Sequence, residues 1–84
     1  MGLPAQPVTL SVEQIAEMDR KISDLRHDIN GHLSLIAATA ELMRIKPHMT
    51  EAMLAKMAEQ PPRISETLRK FTLELEQTLG ITKP

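Results

Sequence analysis

The stretch SVEQIAEMDRKISDLRHDINGHLSLIAATAELMRI, residues 11–45, decides the fold of this chain. Apolar side chains, together with one histidine, recur in it mostly at intervals of three and four residues, as they do on one stripe of an α-helix. These positions are Ile15, Met18, Ile22, Leu25, Ile29, His32, Ile36, Ala40 and Met43. The spacing predicts one long amphipathic helix over about residues 12–45.

Both ends of this helix carry their own signals. Ser11 can accept a hydrogen bond from a free backbone N–H, and Gln14, three residues later, can reach back to form a capping box. At the other end, Pro47 biases Lys46 away from helical backbone angles and removes a donor. The helix is therefore expected to begin after Ser11 and to end near Ile45.

A second helix is expected over about residues 51–79. The hydroxyl of Thr50 can cap its first turn, and Gly80 can supply a left-handed residue at its end. The apolar stripe of this helix comprises Met53, Met57, Pro61, Ile64, Leu68, Phe71, Leu75 and Leu79. Because an interior proline loses a helical hydrogen bond and clashes with the preceding turn, Pro61 and Pro62 predict a kink, with a break into two helices as the alternative.

Composition supports an all-α fold with a partner. The 84 residues contain no cysteine and only one aromatic residue, Phe71, so a compact monomeric core without disulfides would be marginal. A lone antiparallel hairpin would expose much of its apolar stripes, and a homodimeric four-helix bundle is the simplest way to cover them. We therefore expect an irregular segment over residues 1–10, a helical hairpin over 11–81 and a short tail over 82–84.

Charge and hydropathy argue against several other classes of protein. The formal net charge is −1 with no basic block, so nucleic acid is not an expected partner. No apolar run is long enough to span a bilayer and the N-terminus lacks the pattern of a secretion signal, which predicts a cytoplasmic protein without a membrane partner. His27, His32 and His48 have no completing acid or cysteine at ligand spacing, so neither a metal nor a cofactor is expected.

The segment that most clearly indicates a chemical function is LRHDINGHL, residues 25–33, in the middle of the first helix. His27 lies roughly 200° around the helix from the stripe residue Ile29, so it is expected to face solvent. Taken alone, such a residue is an ordinary surface histidine. Asp28 follows it directly, and Asp24 precedes it by about one turn, where it is either an orienting acid or a solvated surface acid.

This segment resembles the phosphoacceptor box of two-component sensor histidine kinases, which lies in their dimerisation and histidine phosphotransfer (DHp, or HisKA-like) domain. The residues that fit the pattern of that box are His27, Asp28, Ile29, Asn30 and Leu33. The resemblance implies that His27 is the phosphoacceptor, that Asp28 is a general base or orienting acid, and that Asn30 is a supporting polar residue. It extends over about residues 11–81, including the hairpin spacing.

Two positions depart from the family pattern. Gly31 stands where many members carry a side chain that positions water for dephosphorylation of the response regulator, which puts phosphatase activity in doubt. His32 stands where a proline is common, and it falls on the apolar stripe. We expect His32 to be a hydrogen-bonded core or interface residue rather than a reactive one.

These observations lead to two hypotheses on function. The first is a phosphorelay intermediate without ATP-dependent kinase activity of its own, since the 84 residues hold no nucleotide-binding domain. In it, His27 exchanges a phosphoryl group with the aspartate of a response regulator. The second is a non-catalytic, dimeric DHp-like module that binds and regulates a histidine kinase or a response regulator. A start at Met1 and a cap at Gly80 suit a complete small protein, with a kinase fragment as the alternative.

Overall fold

The computed structural model describes residues 3–80, and within them the chain is an all-α helical hairpin. Helix α1 is Val12–Ile45, a 3₁₀ turn follows at Pro47–Met49, and the returning arm consists of α2, Thr50–Ala58, and α3, Gln60–Leu79. The hairpin predicted from the sequence is confirmed at this level. The predicted tail, residues 82–84, lies outside the described residues.

Both ends of α1 form as the local signals predict. The Ser11 hydroxyl accepts from the backbone N–H of Gln14 at 3.1 Å, and the Gln14 side chain accepts from the backbone N–H of Ser11 at 2.8 Å. Lys46 leaves helical geometry at φ −126° and ψ 78°, directly before Pro47.

Gly80 ends α3 in the left-handed region at φ 66°, where glycine has no steric penalty.

We expect Ser11→Ala to lower the free energy of unfolding by about 1 kcal/mol, because it removes an N-terminal cap. Urea unfolding followed by circular dichroism measures the change, with Ser23→Ala as the matched control in the exposed middle of α1. Equal stability of the two variants would mean that the cap does not contribute to folding.

The returning arm is divided into α2 and α3. The sequence analysis gave such a break as the alternative to a kink at Pro61 and Pro62. The break falls at Glu59, just before the prolines, although the backbone of Glu59 stays in the right-handed helical region at φ −74° and ψ −22°. The expected cap at Thr50 is wrong: its hydroxyl donates to Pro47 O at 2.7 Å instead of accepting from the helix. The 3₁₀ turn leads straight into α2 and has already set helical angles at Thr50, so no cap is needed there.

The hairpin is only one helix thick. It measures 57 × 28 × 12 Å, and its radius of gyration of 18.0 Å exceeds the roughly 12 Å expected of a compact domain of this length. Its accessible surface of 6378 Å² is about 1,400 Å² larger than size scaling gives for a compact monomer of 9.4 kDa. The monomer therefore exposes a large area that a globular protein of this mass would bury.

The buried interior is correspondingly small. Met53 is the one apolar residue among residues 3–80 that is almost fully buried, at 5% exposure. In α1 the structure buries Thr39, whose hydroxyl donates to Ile36 O at 2.8 Å, while the predicted stripe residue Ala40 is exposed. The predicted buried position is therefore wrong by one residue. Thr39 can be buried because its hydroxyl is satisfied by the preceding turn of its own helix.

One buried residue lies near the end of α3. Glu76 is 5% exposed, and neither carboxylate oxygen has a hydrogen-bond partner among residues 3–80. At the same end of the molecule, Pro4–Val8 and Gln77–Gly80 line one cavity, so the N-terminal segment lies against the end of α3.

The two edges of the hairpin differ in character. Four charged residues line a groove between α1 and α3. Asp24 and Asp28 lie one residue before and three after Leu25 in α1. Lys70 and Glu74 lie one residue before and three after Phe71 in α3. At about 100° per residue, the positions three before Leu25 and Phe71 fall on the opposite edge, and they are Ile22 and Leu68. We call Ile15, Ile22, Leu33, Leu54 and Leu68 the apolar edge; all five are exposed.

Several ion pairs lie on the exposed surface of the helices. Three of them join a glutamate to an arginine three residues later, namely Glu17–Arg20, Glu41–Arg44 and Glu66–Arg69. The hydrogen bond from the arginine lowers the pKa of each glutamate below its ordinary value of 4.5. Their contribution to stability is therefore present at neutral pH and is lost as the pH falls through the lowered pKa values. No helix within residues 3–80 is long and apolar enough to cross a membrane.

Candidate functional site

The polar groove between α1 and α3 is the largest feature near the predicted phosphoacceptor. It encloses about 390 Å³ and has charged residues on both walls. On α1, Arg20 donates to Asp24 at 3.2 Å, and across the groove Lys21 pairs with Glu74 at 3.4 Å. Opposite charges thus hold the two helices together at the end of the groove near the chain termini.

His27 and Asp28 lie at the other end of this groove. With Gly31, His32 and Thr67 they line an open cavity of about 260 Å³. His27 is exposed, as its position on the helix predicts, and Asp28 is exposed beside it. An exposed imidazole next to a carboxylate at the edge of an open cavity is accessible to a group carried by another protein.

The structure does not place the acids so that they orient His27. Among residues 3–80, neither Asp24 nor Asp28 makes a hydrogen bond to the His27 ring, and Asp24 accepts from Arg20 instead. Asn30 is exposed on α1 and is not one of the described residues that line the cavity. The sequence-predicted residues are therefore neighbours along one helix, and only His27 and Asp28 share the cavity.

Gly31 leaves open space in the wall of this cavity. A Cβ added to Gly31 would meet no atom within 4 Å, so a close contact does not explain the glycine. The space is free for an approaching side chain or phosphoryl group.

His32 is held by a residue that the sequence did not indicate. Its Nδ1 lies 2.8 Å from Oε1 of Gln60, the first residue of α3, and Gln60 is only 2% exposed. The Gln60 Nε2 also donates to Lys56 O at 3.3 Å, across the break between α2 and α3. The half-buried, hydrogen-bonded state expected of His32 is confirmed, and the polar glutamine directly before two prolines was the available signal for its partner.

Other ligand chemistry has no matching arrangement in this part of the chain. Residues 3–80 contain no group of three or more histidine, cysteine or acidic side chains placed to hold a metal ion. His48 lies in the 3₁₀ turn at the far end of the hairpin, away from the cavity. The polar side chains among the residues that line the cavity are two imidazoles, one carboxylate and the hydroxyl of Thr67.

Comparisons of the chain with protein-family models, with curated proteins and with solved structures gave no match.

Proposed function

We propose that this chain is a histidine phosphotransfer protein of a two-component phosphorelay, in which His27 accepts a phosphoryl group and passes it on. The observation that carries the proposal is the exposure of His27, next to Asp28, at the edge of an open cavity on a rigid helix. A phosphoacceptor has to be reached in turn by a donor and by an acceptor protein, and this position allows both.

The proposed chemistry needs no group beyond the protein partners. A ring nitrogen of His27 attacks the phosphorus of a donor, such as the acyl phosphate on a receiver aspartate; the N–P bond forms while the P–O bond to that carboxylate breaks. The reverse reaction passes the group to another aspartate. Asp28 acts as the orienting acid or general base once a bound partner has excluded water from the cavity.

The proposed assembly is a homodimer that packs through the apolar edge. The surface of the monomer exceeds that of a compact protein by about 1,400 Å², whereas a standard interface buries about 800 Å² per partner. The apolar edge and the groove lie on opposite edges of the hairpin. A four-helix bundle formed in this way would therefore leave the His27 cavity of each chain open to a receiver domain.

We expect an acid-labile phosphorylated form of the protein in its source cells, and we expect His27→Gln to remove most of it. Phosphate-affinity electrophoresis at neutral pH measures this form, with an acid-treated sample to identify phosphohistidine. His48→Gln is the matched control, because His48 is also an exposed histidine but lies far from the cavity. Equal labelling of wild type and His27→Gln would refute the proposed role of His27.

An alternative function is a non-catalytic, dimeric module that binds and regulates a histidine kinase or a response regulator. Two observations favour it: within residues 3–80 no acid is hydrogen-bonded to His27, and Gly31 offers no side chain to the cavity. This alternative predicts that receiver binding, measured by calorimetry, is the same for wild type and His27→Gln, while no phosphorylated form is found under any growth condition.

A further inference from the structure

The buried amide of Gln60 selects the tautomer of the neutral His32 ring. Lys56 O can only accept a hydrogen bond, so the Gln60 atom 3.3 Å from it has to be the NH₂ group. The amide oxygen then faces His32, and because this oxygen also only accepts, His32 Nδ1 has to carry the hydrogen. The orientation of the amide and the tautomer of the imidazole are thus set by one chain of two hydrogen bonds.

A neutral imidazole that is protonated at Nδ1 has its lone pair on Nε2. No residue within 3–80 hydrogen-bonds to Nε2 of His32, and His32 is one of the residues that line the cavity with His27 and Asp28. The open space next to Gly31 adjoins the same cavity. Nε2 is therefore the free nucleophilic nitrogen of a residue that borders a cavity of about 260 Å³.

We propose that Nε2 of His32 is a second phosphoacceptor atom of this cavity and that Gln60 is its positioning residue. The natural donor, an acyl phosphate on a receiver domain, rests on the proposed function. In the transfer, the Nε2–P bond forms, the P–O bond to the receiver aspartate breaks, and the aspartate leaves as a carboxylate. The ring gains positive charge, and its Nδ1–H becomes a stronger donor to the Gln60 oxygen.

Gln60 is hydrogen-bonded to the His32 ring, whereas within residues 3–80 neither Asp24 nor Asp28 is hydrogen-bonded to the His27 ring. It is buried, its rotamer is held at both ends by hydrogen bonds, and it presents an acceptor to the nitrogen that is not attacked. A hydrogen bond at one ring nitrogen determines which nitrogen is free to react. The arrangement therefore predicts phosphorylation at Nε2 alone.

The test uses the full chain with His27→Gln and His48→Gln, which leaves His32 as the one histidine, and potassium phosphoramidate as the donor. Here the N–P bond of the donor breaks and ammonia leaves. We expect one phosphoryl group per chain by mass spectrometry and only the Nε2 isomer by ³¹P NMR, whereas the same chain in urea should give both isomers. No phosphorylation of the folded chain, or the isomer mixture of the unfolded chain, would overturn the proposal.

The role of Gln60 is tested in the same background by Gln60→Met, which removes the acceptor, and Gln60→Glu, which keeps one. We expect loss of isomer selectivity in the first and its retention in the second, with helicity checked by circular dichroism. Retained selectivity in Gln60→Met would overturn the positioning role. If Gln60→Met does not fold, ¹⁵N–¹H correlation spectra of the parent chain decide, because a dominant Nε2–H tautomer contradicts the assignment.

These experiments are independent of His27. They use neither that residue nor a receiver domain, so their failure would leave the proposed function of His27 standing. Equally, absence of His27 labelling in cells would not change the result with phosphoramidate.

Discussion

Ile22→Glu is expected to dissociate the proposed homodimer into single chains, as measured by light scattering at micromolar concentration. Ile22 lies at the centre of the α1 part of the apolar edge and is 40% exposed in the single chain. In the proposed bundle its side chain would be buried against the second copy. Placing an unpaired carboxylate there should cost at least about 3 kcal/mol, which raises the dissociation constant by roughly two orders of magnitude.

Leu35→Glu is the matched control for this experiment. Leu35 has almost the same exposure, 43%, but it is turned away from Ile22 toward the groove side of α1. We expect Leu35→Glu to keep the mass of two chains. A mass of one chain for the wild type, or dissociation of both variants alike, would refute packing through the apolar edge.

Met53→Ala is expected to lower the free energy of unfolding by about 2–5 kcal/mol, the usual range for truncating a large buried side chain. The effect should be large because Met53 is the one almost fully buried apolar residue within residues 3–80. Urea unfolding at a fixed protein concentration measures it, since the stability of the proposed dimer would depend on concentration.

Leu73→Ala provides the comparison for Met53→Ala. Leu73 is also apolar and helical, but it is 38% exposed on the outer side of α3. Its truncation should change stability by no more than about 0.5 kcal/mol, as is usual for surface positions. If the two variants were equally stable, the packing of α2 on α1 would not be a source of stability.

The sequence predicts the helices well because their ends depend on nearby residues. The capping box at Ser11 and Gln14, the proline at 47 and the glycine at 80 each act within one turn of the backbone they control. Their consequences could be worked out without knowing what the helices pack against. The cap expected at Thr50 is wrong because a 3₁₀ turn, which the sequence analysis did not predict, supplies the start of α2.

Features that depend on contacts between helices could not be predicted in this way. The choice between Thr39 and Ala40 as the buried position depends on how α2 packs against α1, which a periodic pattern does not resolve to one residue. The predicted second stripe contained Pro61, but the structure exposes Pro61 and buries its polar neighbour Gln60. Its contact with His32, 28 residues earlier, follows from the fold as a whole.

The candidate site was predictable in part. The exposure of His27 follows from helix geometry alone and is confirmed. The expected help of Asp24 and Asn30 depends on side-chain rotamers and on neighbours across the groove. Arg20 takes the Asp24 carboxylate, and a pattern of residues along one helix does not reveal such competition.

The break at Glu59 also gives the returning arm a possible hinge between α2 and α3. Because Pro61 and Pro62 have no N–H, a bend between α2 and α3 requires the loss of few backbone hydrogen bonds, whereas α1 beside it is continuous over 34 residues. The hydrogen bond between His32 and Gln60 ties α1 to the first residue of α3, directly after this break, and is the only one between side chains of different helices within residues 3–80. A partner that breaks this hydrogen bond would leave the Lys21–Glu74 ion pair as the polar link between side chains of α1 and α3 within residues 3–80, and so ease a change in the width of the groove.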